Sequence, residues 1–135
     1  MINFYYETDF ELKNSEDIKN WIRTTAEQEK CQVIEMNYVF CDDVYLHKLN
    51  VEYLDHDTYT DIITFDYSER KNLHGEIYIS VDRVEDNAEK YNVAFQQELA
   101  RVIIHGILHC CGYRDKSNEE KELMRTKEDF YLSQL

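Results

Sequence analysis

Apolar and polar positions alternate in two segments of the chain, which is the pattern of half-buried β-strands. Residues 2–6 predict a first strand and residues 32–40 a second. The apolar face of the second strand is predicted to carry Ile34, Met36, Tyr38 and Phe40. Residues 61–67 and 75–81 are rich in β-branched and aromatic side chains and predict two more strands.

Helical spacing of apolar residues fills the intervals between these strands. Five helices are predicted. The first runs from Ser15 to about residue 30, and the second is a short segment capped by Asp42 or Asp43. The others span residues 82–92, residues 94–111, and the segment from a cap at Asn118 to the carboxyl end. The order β-α-β-α-β-β-α-α-α predicts an α+β fold with a mixed sheet of about four strands and helices packed on it. Without an internal repeat or a linker, residues 1–135 are expected to form one domain.

Composition supports a folded chain and opposes generic nucleic-acid binding. Hydrophobic residues make up 43% of the 135 positions and aromatic residues 13%, so the chain is unlike an acidic disordered tail. The net charge is −13, whereas proteins that bind nucleic acid by neutralising phosphates are usually basic. Only residues 101–127 are slightly positive, with six basic side chains against four acidic ones. This stretch is either a solvated helix face or a local attraction for an anionic substrate.

The expected compartment is the cytosol. The amino-terminal residues show no secretory signal, and no apolar run has the length of about 18 residues that a membrane-spanning helix requires. The four cysteines are therefore predicted to be free thiols, since disulfides belong mainly to oxidising compartments.

The segment from residue 104 to residue 115 carries the strongest chemical signal. His105 and His109 are four residues apart on a predicted helix, so both imidazoles project from one face and can bind one metal ion. Gly112 ends the helix, and Asp115 follows where the returning chain can add a carboxylate. Two nitrogens, one oxygen and an open position are typical of a catalytic zinc site.

Two histidines at this spacing are also compatible with ordinary packing in an apolar helix. Gly106 favours the metal site, because a mid-helix glycine costs about 1 kcal/mol relative to alanine and implies a close approach of a strand or a substrate. The same glycine opposes a zinc peptidase, since the H-E-x-x-H motif places its general base there.

These residues resemble the YbeY family of single-strand-specific endoribonucleases. The family signature H-G-x-L-H-L-x-G-Y-D-H resembles residues 105–115, HGILHCCGYRD. Two upstream family blocks, L-N-x-x-Y-R…T-D-V-L-S-F and G-D-I-x-I-S, resemble residues 49–65 and 75–80. The resemblance covers roughly residues 46–125 in three ordered blocks.

The resemblance implies a zincin-like fold and a zinc-dependent endoribonuclease of the bacterial cytosol. The implied substrate is single-stranded RNA, with a role in maturing the 3′ end of the small-subunit (16S) ribosomal RNA and in ribosome quality control. His105 and His109 match two family metal ligands. Because the chain is acidic, a ribosome or a small-subunit protein partner is expected to deliver the RNA; neither DNA nor a membrane is expected as a partner. A metal-dependent hydrolase of another substrate and a non-catalytic ribosome-assembly factor are the alternatives.

The chain departs from the family pattern at two positions. Asp115 stands where the third ligand is commonly histidine, so the ion is zinc or another divalent transition metal. Leu54 stands where the family often has an arginine that meets RNA, and Arg114, or Lys116, is the predicted substitute for that charge. The sequence identifies no general base; Asp61 is a candidate only if its strand ends beside the ligand helix.

Overall fold

The computed structural model describes residues 1–135 and contains the predicted elements in the predicted order. Its strands and helices are β1 (Ile2–Tyr6), α1 (Ser15–Gln28), β2 (Gln32–Cys41), α2 (Asp43–Leu54), β3 (Ile62–Asp66), β4 (Asn72–Ser80), α3 (Val81–Tyr91), α4 (Phe95–Cys110) and α5 (Asn118–Leu132). The four strands form one sheet in the order β1-β2-β4-β3. The first three of these pair in parallel and β3 pairs antiparallel with β4, which confirms the mixed sheet and the α+β class.

Helix α4 is the central helix of the main core. Its side chains from Leu99 to Cys110 are mostly buried, and 24 buried residues in all form the core cluster. At Gly106 a Cβ atom would lie 2.8 Å from Cδ1 of Ile77 and 3.2 Å from Cδ1 of Ile62. The close approach that the mid-helix glycine predicted is therefore made by strands β4 and β3.

The apolar face predicted for β2 is wrong at Ile34. Met36, Tyr38 and Phe40 are fully buried, but Ile34 is 49% exposed. The pairing of β2 with β4 shifts register between Val33 and Glu35. Because an extra residue in a strand reverses the face on which the preceding side chains lie, this irregularity turns Ile34 to the solvent.

The ends of three helices follow local rules. The Asp42 carboxylate accepts a hydrogen bond from the Tyr45 amide at 2.8 Å, as the cap of α2. Gly112 ends α4 with a φ of 110°, a conformation that suits glycine. The cap predicted at Asn118 is wrong by one residue, because Ser117 and Glu120 form a reciprocal capping box at the start of α5.

All four cysteines are free thiols, as predicted, and three of them are buried. Cys110 packs in the core, while the adjacent Cys111 is half-buried. None of the helices combines the length and the apolar character needed to cross a membrane.

A half-buried carboxylate connects three parts of the chain near the end of α4. Glu29, just after α1, accepts hydrogen bonds from the hydroxyls of Tyr113 and Tyr131 and from the ammonium of Lys127. Burial raises the pKa of Glu29, but these three donors outweigh it and hold that pKa below its usual range. The segment that follows α4 is thereby fixed to both α1 and α5.

We expect Glu29→Gln to lower the free energy of unfolding by about 1–3 kcal/mol near neutral pH, because the donors lose their charged acceptor. Since the pKa of Glu29 is lowered on folding, its contribution is present above the unfolded pKa of about 4.3 and is lost as the pH falls through the lower folded pKa. Urea unfolding of both proteins should therefore show a difference that shrinks in acid.

Glu27→Gln is the matched control, since Glu27 lies two residues earlier, in the last turn of α1, with an exposed side chain and no ion pair. Its effect on stability should be within about 0.5 kcal/mol of wild type. Equal effects of the two substitutions would contradict the anchoring role of Glu29.

Candidate metal centre

Three residues that the sequence predicts as metal ligands line one cavity of about 570 Å³, here called the histidine cavity. His105, His109 and Asp115 share it with residues from the start of β3, the end of α3 and one face of α5. A second cavity of about 580 Å³ lies between α1 and the first half of α4, and its lining contains neither histidine nor cysteine. Side-chain chemistry, not size, therefore distinguishes the candidate site.

The two histidines lie one turn apart on the half-buried face of α4. This face lines the cavity, while the opposite side of α4 packs in the core. Both imidazoles therefore project from a rigid, buried element, which is the arrangement that a metal site requires of its supporting helix.

The orientation of the His105 ring is set by Glu128 on α5. The Nδ1 atom of His105 lies 2.7 Å from Oε2 of Glu128, and the other carboxylate oxygen accepts a hydrogen bond from Arg101 at 2.9 Å. A neutral ring that donates its Nδ1–H to a carboxylate keeps the Nε2 lone pair available. Histidines that bind metal ions usually have such a partner on their second nitrogen.

The free nitrogen of His105 faces the predicted third ligand. Nε2 lies 3.3 Å from Oδ2 of Asp115. Two ligands at about 2.0–2.1 Å from a tetrahedral ion are themselves separated by about 3.3–3.4 Å. The separation and the donor types of this pair therefore fit two corners of a zinc site.

His109 is not part of the contact between His105 and Asp115. No group of three histidine, cysteine or acidic side chains is already arranged to hold an ion. His109 lines the cavity and is half-buried, and no side-chain hydrogen bond holds its ring in place. The three residues together supply two nitrogens and one carboxylate, a donor set that suits zinc and also non-haem iron.

Buried charges in the cavity shift one another's pKa values. Burial lowers the pKa of His105, but Glu128, Asp115 and Asp61 outweigh it and raise that pKa above its usual range. Burial raises the pKa of Asp61, which the positive charge of His105 partly offsets. Burial likewise raises the pKa of Glu98, with partial offset from Arg101 and Arg125. At a given pH these two carboxyls therefore carry less negative charge than exposed ones.

A family model described as "Endoribonuclease YbeY" matches residues 2–135 of this chain. The chain belongs to the YbeY family. The match extends beyond the segment of the resemblance, from roughly residues 46–125 to nearly the whole sequence.

Curated members of the YbeY family agree with this assignment. The chain is 57% identical to "Endoribonuclease YbeY" of Flavobacterium johnsoniae, over 96% of this chain and 93% of that protein. It is 53% identical to the protein of the same name from Christiangramia forsetii, over 95% and 90% of the two chains. Among solved structures it is similar to the solution structure of TM1509 from Thermotoga maritima, with 31% identity, a TM-score of 0.72, and coverage of 98% and 87%.

The other residues that the sequence singles out differ in whether they line the cavity. Asp61 lines the histidine cavity directly before β3, which meets the positional condition for a general base. Arg114 and Lys116 are exposed and do not line the cavity, so a substrate contact by Arg114 stays a prediction. The remaining histidines lie elsewhere; His47, for example, pairs with Asp57 at 2.8 Å.

Sequence reasoning missed Glu128 and the pairing of Arg101. The signal for Glu128 was its spacing, because Met124, Glu128 and Tyr131 lie four and three residues apart on the buried face of α5. An acidic residue at a core position of an amphipathic helix implies a specific partner, since burying an unpaired carboxylate is costly. The partners, Arg101 and His105, are 27 and 23 residues away along the chain.

We expect Glu128→Gln to weaken zinc binding by about 10- to 100-fold, because the ring of His105 loses its charged hydrogen-bond partner. Competition with a zinc-chelating dye measures this affinity. The control is Asp129→Asn, since Asp129 also bonds Arg101, at 2.8 Å, but does not contact His105. A similar loss in both variants would show that Glu128 acts only through Arg101.

Proposed function

We propose that this chain is a zinc-dependent, single-strand-specific endoribonuclease of the cytosol. Its proposed tasks are maturation of the 3′ end of the small-subunit ribosomal RNA and ribosome quality control. The proposal rests on membership of the YbeY family and on the names of the relatives. The observation that carries it is the pairing of His105 with Glu128 on one nitrogen and Asp115 near the other.

Each residue of the site has a separate proposed task. His105, His109 and Asp115 hold the ion, and Glu128 keeps the proton of His105 on Nδ1. Arg101 balances the charge of Glu128, whose side chain is only 7% exposed. A zinc ion bound here would polarise a phosphate oxygen and lower the pKa of a water ligand toward 7 or so.

The cavity also offers a surface for an unpaired base. Tyr91, at the end of α3, lines the histidine cavity and is 55% exposed. Single-stranded RNA is commonly held by stacking of its bases on aromatic side chains. An exposed tyrosine beside the ligand helix therefore supports a single-stranded substrate over a duplex.

The charge of the chain supports delivery of the RNA by a partner. A net charge of −13 repels free RNA, most strongly at low salt, where screening is weakest. A ribosome or a small-subunit protein that docks the chain would offset this repulsion. Preribosomal particles should accordingly be cut faster than naked RNA of the same sequence.

We expect the purified protein to contain a metal ion and to cut single-stranded RNA. His109→Ala, or a chelator, should reduce cleavage by at least about 100-fold, because the ion loses a ligand or is removed. Metal analysis and a gel assay on labelled RNA measure the two properties on the same sample.

Single-stranded DNA and casein, each with and without chelator, are the controls for substrate class. Chelator-sensitive cleavage of casein alone would identify a hydrolase of another class. Metal-free protein, or RNA cleavage unaffected by His109→Ala, would contradict the proposed function.

A further inference from the structure

The histidine cavity contains three cationic side chains, Arg101, Lys121 and Arg125, of which only Arg101 forms ion pairs within the protein. Arg101 donates hydrogen bonds to Glu128 at 2.9 Å and to Asp129 at 2.8 Å, and its side chain is 13% exposed. Lys121 and Arg125 also line the cavity, but both are exposed and neither forms an ion pair. The cavity therefore contains two cationic side chains without a direct carboxylate partner.

These two cations lie one turn apart on α5, on the face that carries Met124 and Glu128. Like charges at this spacing disfavour the helix slightly. The acidic residues that follow Arg125 at helical spacing, Glu128 and Asp129, are occupied by Arg101. Glu122, which precedes Arg125 by three residues, is exposed and forms no ion pair with it.

Two exposed cations without an ion-pair partner, in the cavity that holds the candidate metal ligands, are suited to bind an anion from outside. We propose that Lys121 and Arg125 bind a backbone phosphate of the single-stranded substrate, next to the phosphate at the metal centre. This rests on the proposed function for the identity of the substrate. The pair shares one cavity with His105 and Asp115, so one strand can contact both.

The two side chains suit this task in different ways. The guanidinium of Arg125 presents a planar fork that matches two phosphate oxygens, while the Lys121 ammonium acts as a mobile point charge. Such contacts position the strand without reading its sequence. The pair therefore strengthens RNA binding and fixes the position of the strand relative to the metal centre, and it confers no base preference.

The test compares the double variant Lys121→Gln/Arg125→Gln with wild type. Fluorescence anisotropy measures binding of a labelled single-stranded RNA of mixed sequence over a range of salt concentrations, with a chelator present to prevent cleavage, and a gel confirms that the RNA stays intact. Affinity at low salt should fall on the order of tenfold, and the log–log salt slope should become shallower by about 0.7, the value for one lost phosphate contact on a single strand.

The control is Lys48→Gln/Lys71→Gln, which removes the same charge from exposed positions outside the cavity. It should change affinity less than twofold. A loss in the α5 variant no larger than in this control would overturn the phosphate contact. If wild type binds RNA more tightly than the α5 variant but does not cut it, the proposed function fails and the phosphate contact stands. If wild type cuts RNA but the α5 variant binds RNA as tightly as wild type, only the phosphate contact fails.

Discussion

The hydrogen bond between His105 and Glu128 is the contact on which the candidate centre depends. At 2.7 Å it joins the ligand helix α4 to α5 and leaves the Nε2 atom of His105 facing Asp115. Glu128 is almost fully buried, and a buried carboxylate is stable only when it is paired and hydrogen-bonded. Arg101 supplies the compensating charge, so the docking of α5 and the orientation of the ligand belong to one network.

The surrounding packing keeps this network in place. At Gly106 the ligand helix comes so close to β3 and β4 that there is no room for a Cβ atom without movement of Ile77. Beyond the helix, Gly112 turns the chain, and Tyr113 is held by Glu29 at 2.6 Å. The capping box of Ser117 and Glu120 then starts α5. Asp115 thus lies in a short connection that is anchored on both sides.

Hydrophobic periodicity was sufficient to predict the elements and their order, because these follow from local spacing, and the order of the elements in turn predicted the mixed sheet. It failed at Ile34, since an irregularity in strand pairing is decided between strands. The short motif around His105 predicted three residues that share one cavity. The motif could not predict the role of Glu128, because that role depends on how α5 packs against α4. Nor could it show that the cavity cations without an ion pair are Lys121 and Arg125 rather than Arg114.

X-ray absorption at the zinc edge of the loaded protein tests the central claim most directly. We expect one ion per chain with only nitrogen and oxygen neighbours at about 2.0–2.2 Å, including two imidazoles, and loss of one imidazole signal in His109→Ala. Cys110 and Cys111 lie beside the ligand helix terminus but outside the cavity lining. A sulfur neighbour at about 2.3 Å, or a spectrum unchanged by His109→Ala, would contradict the proposed ligand set.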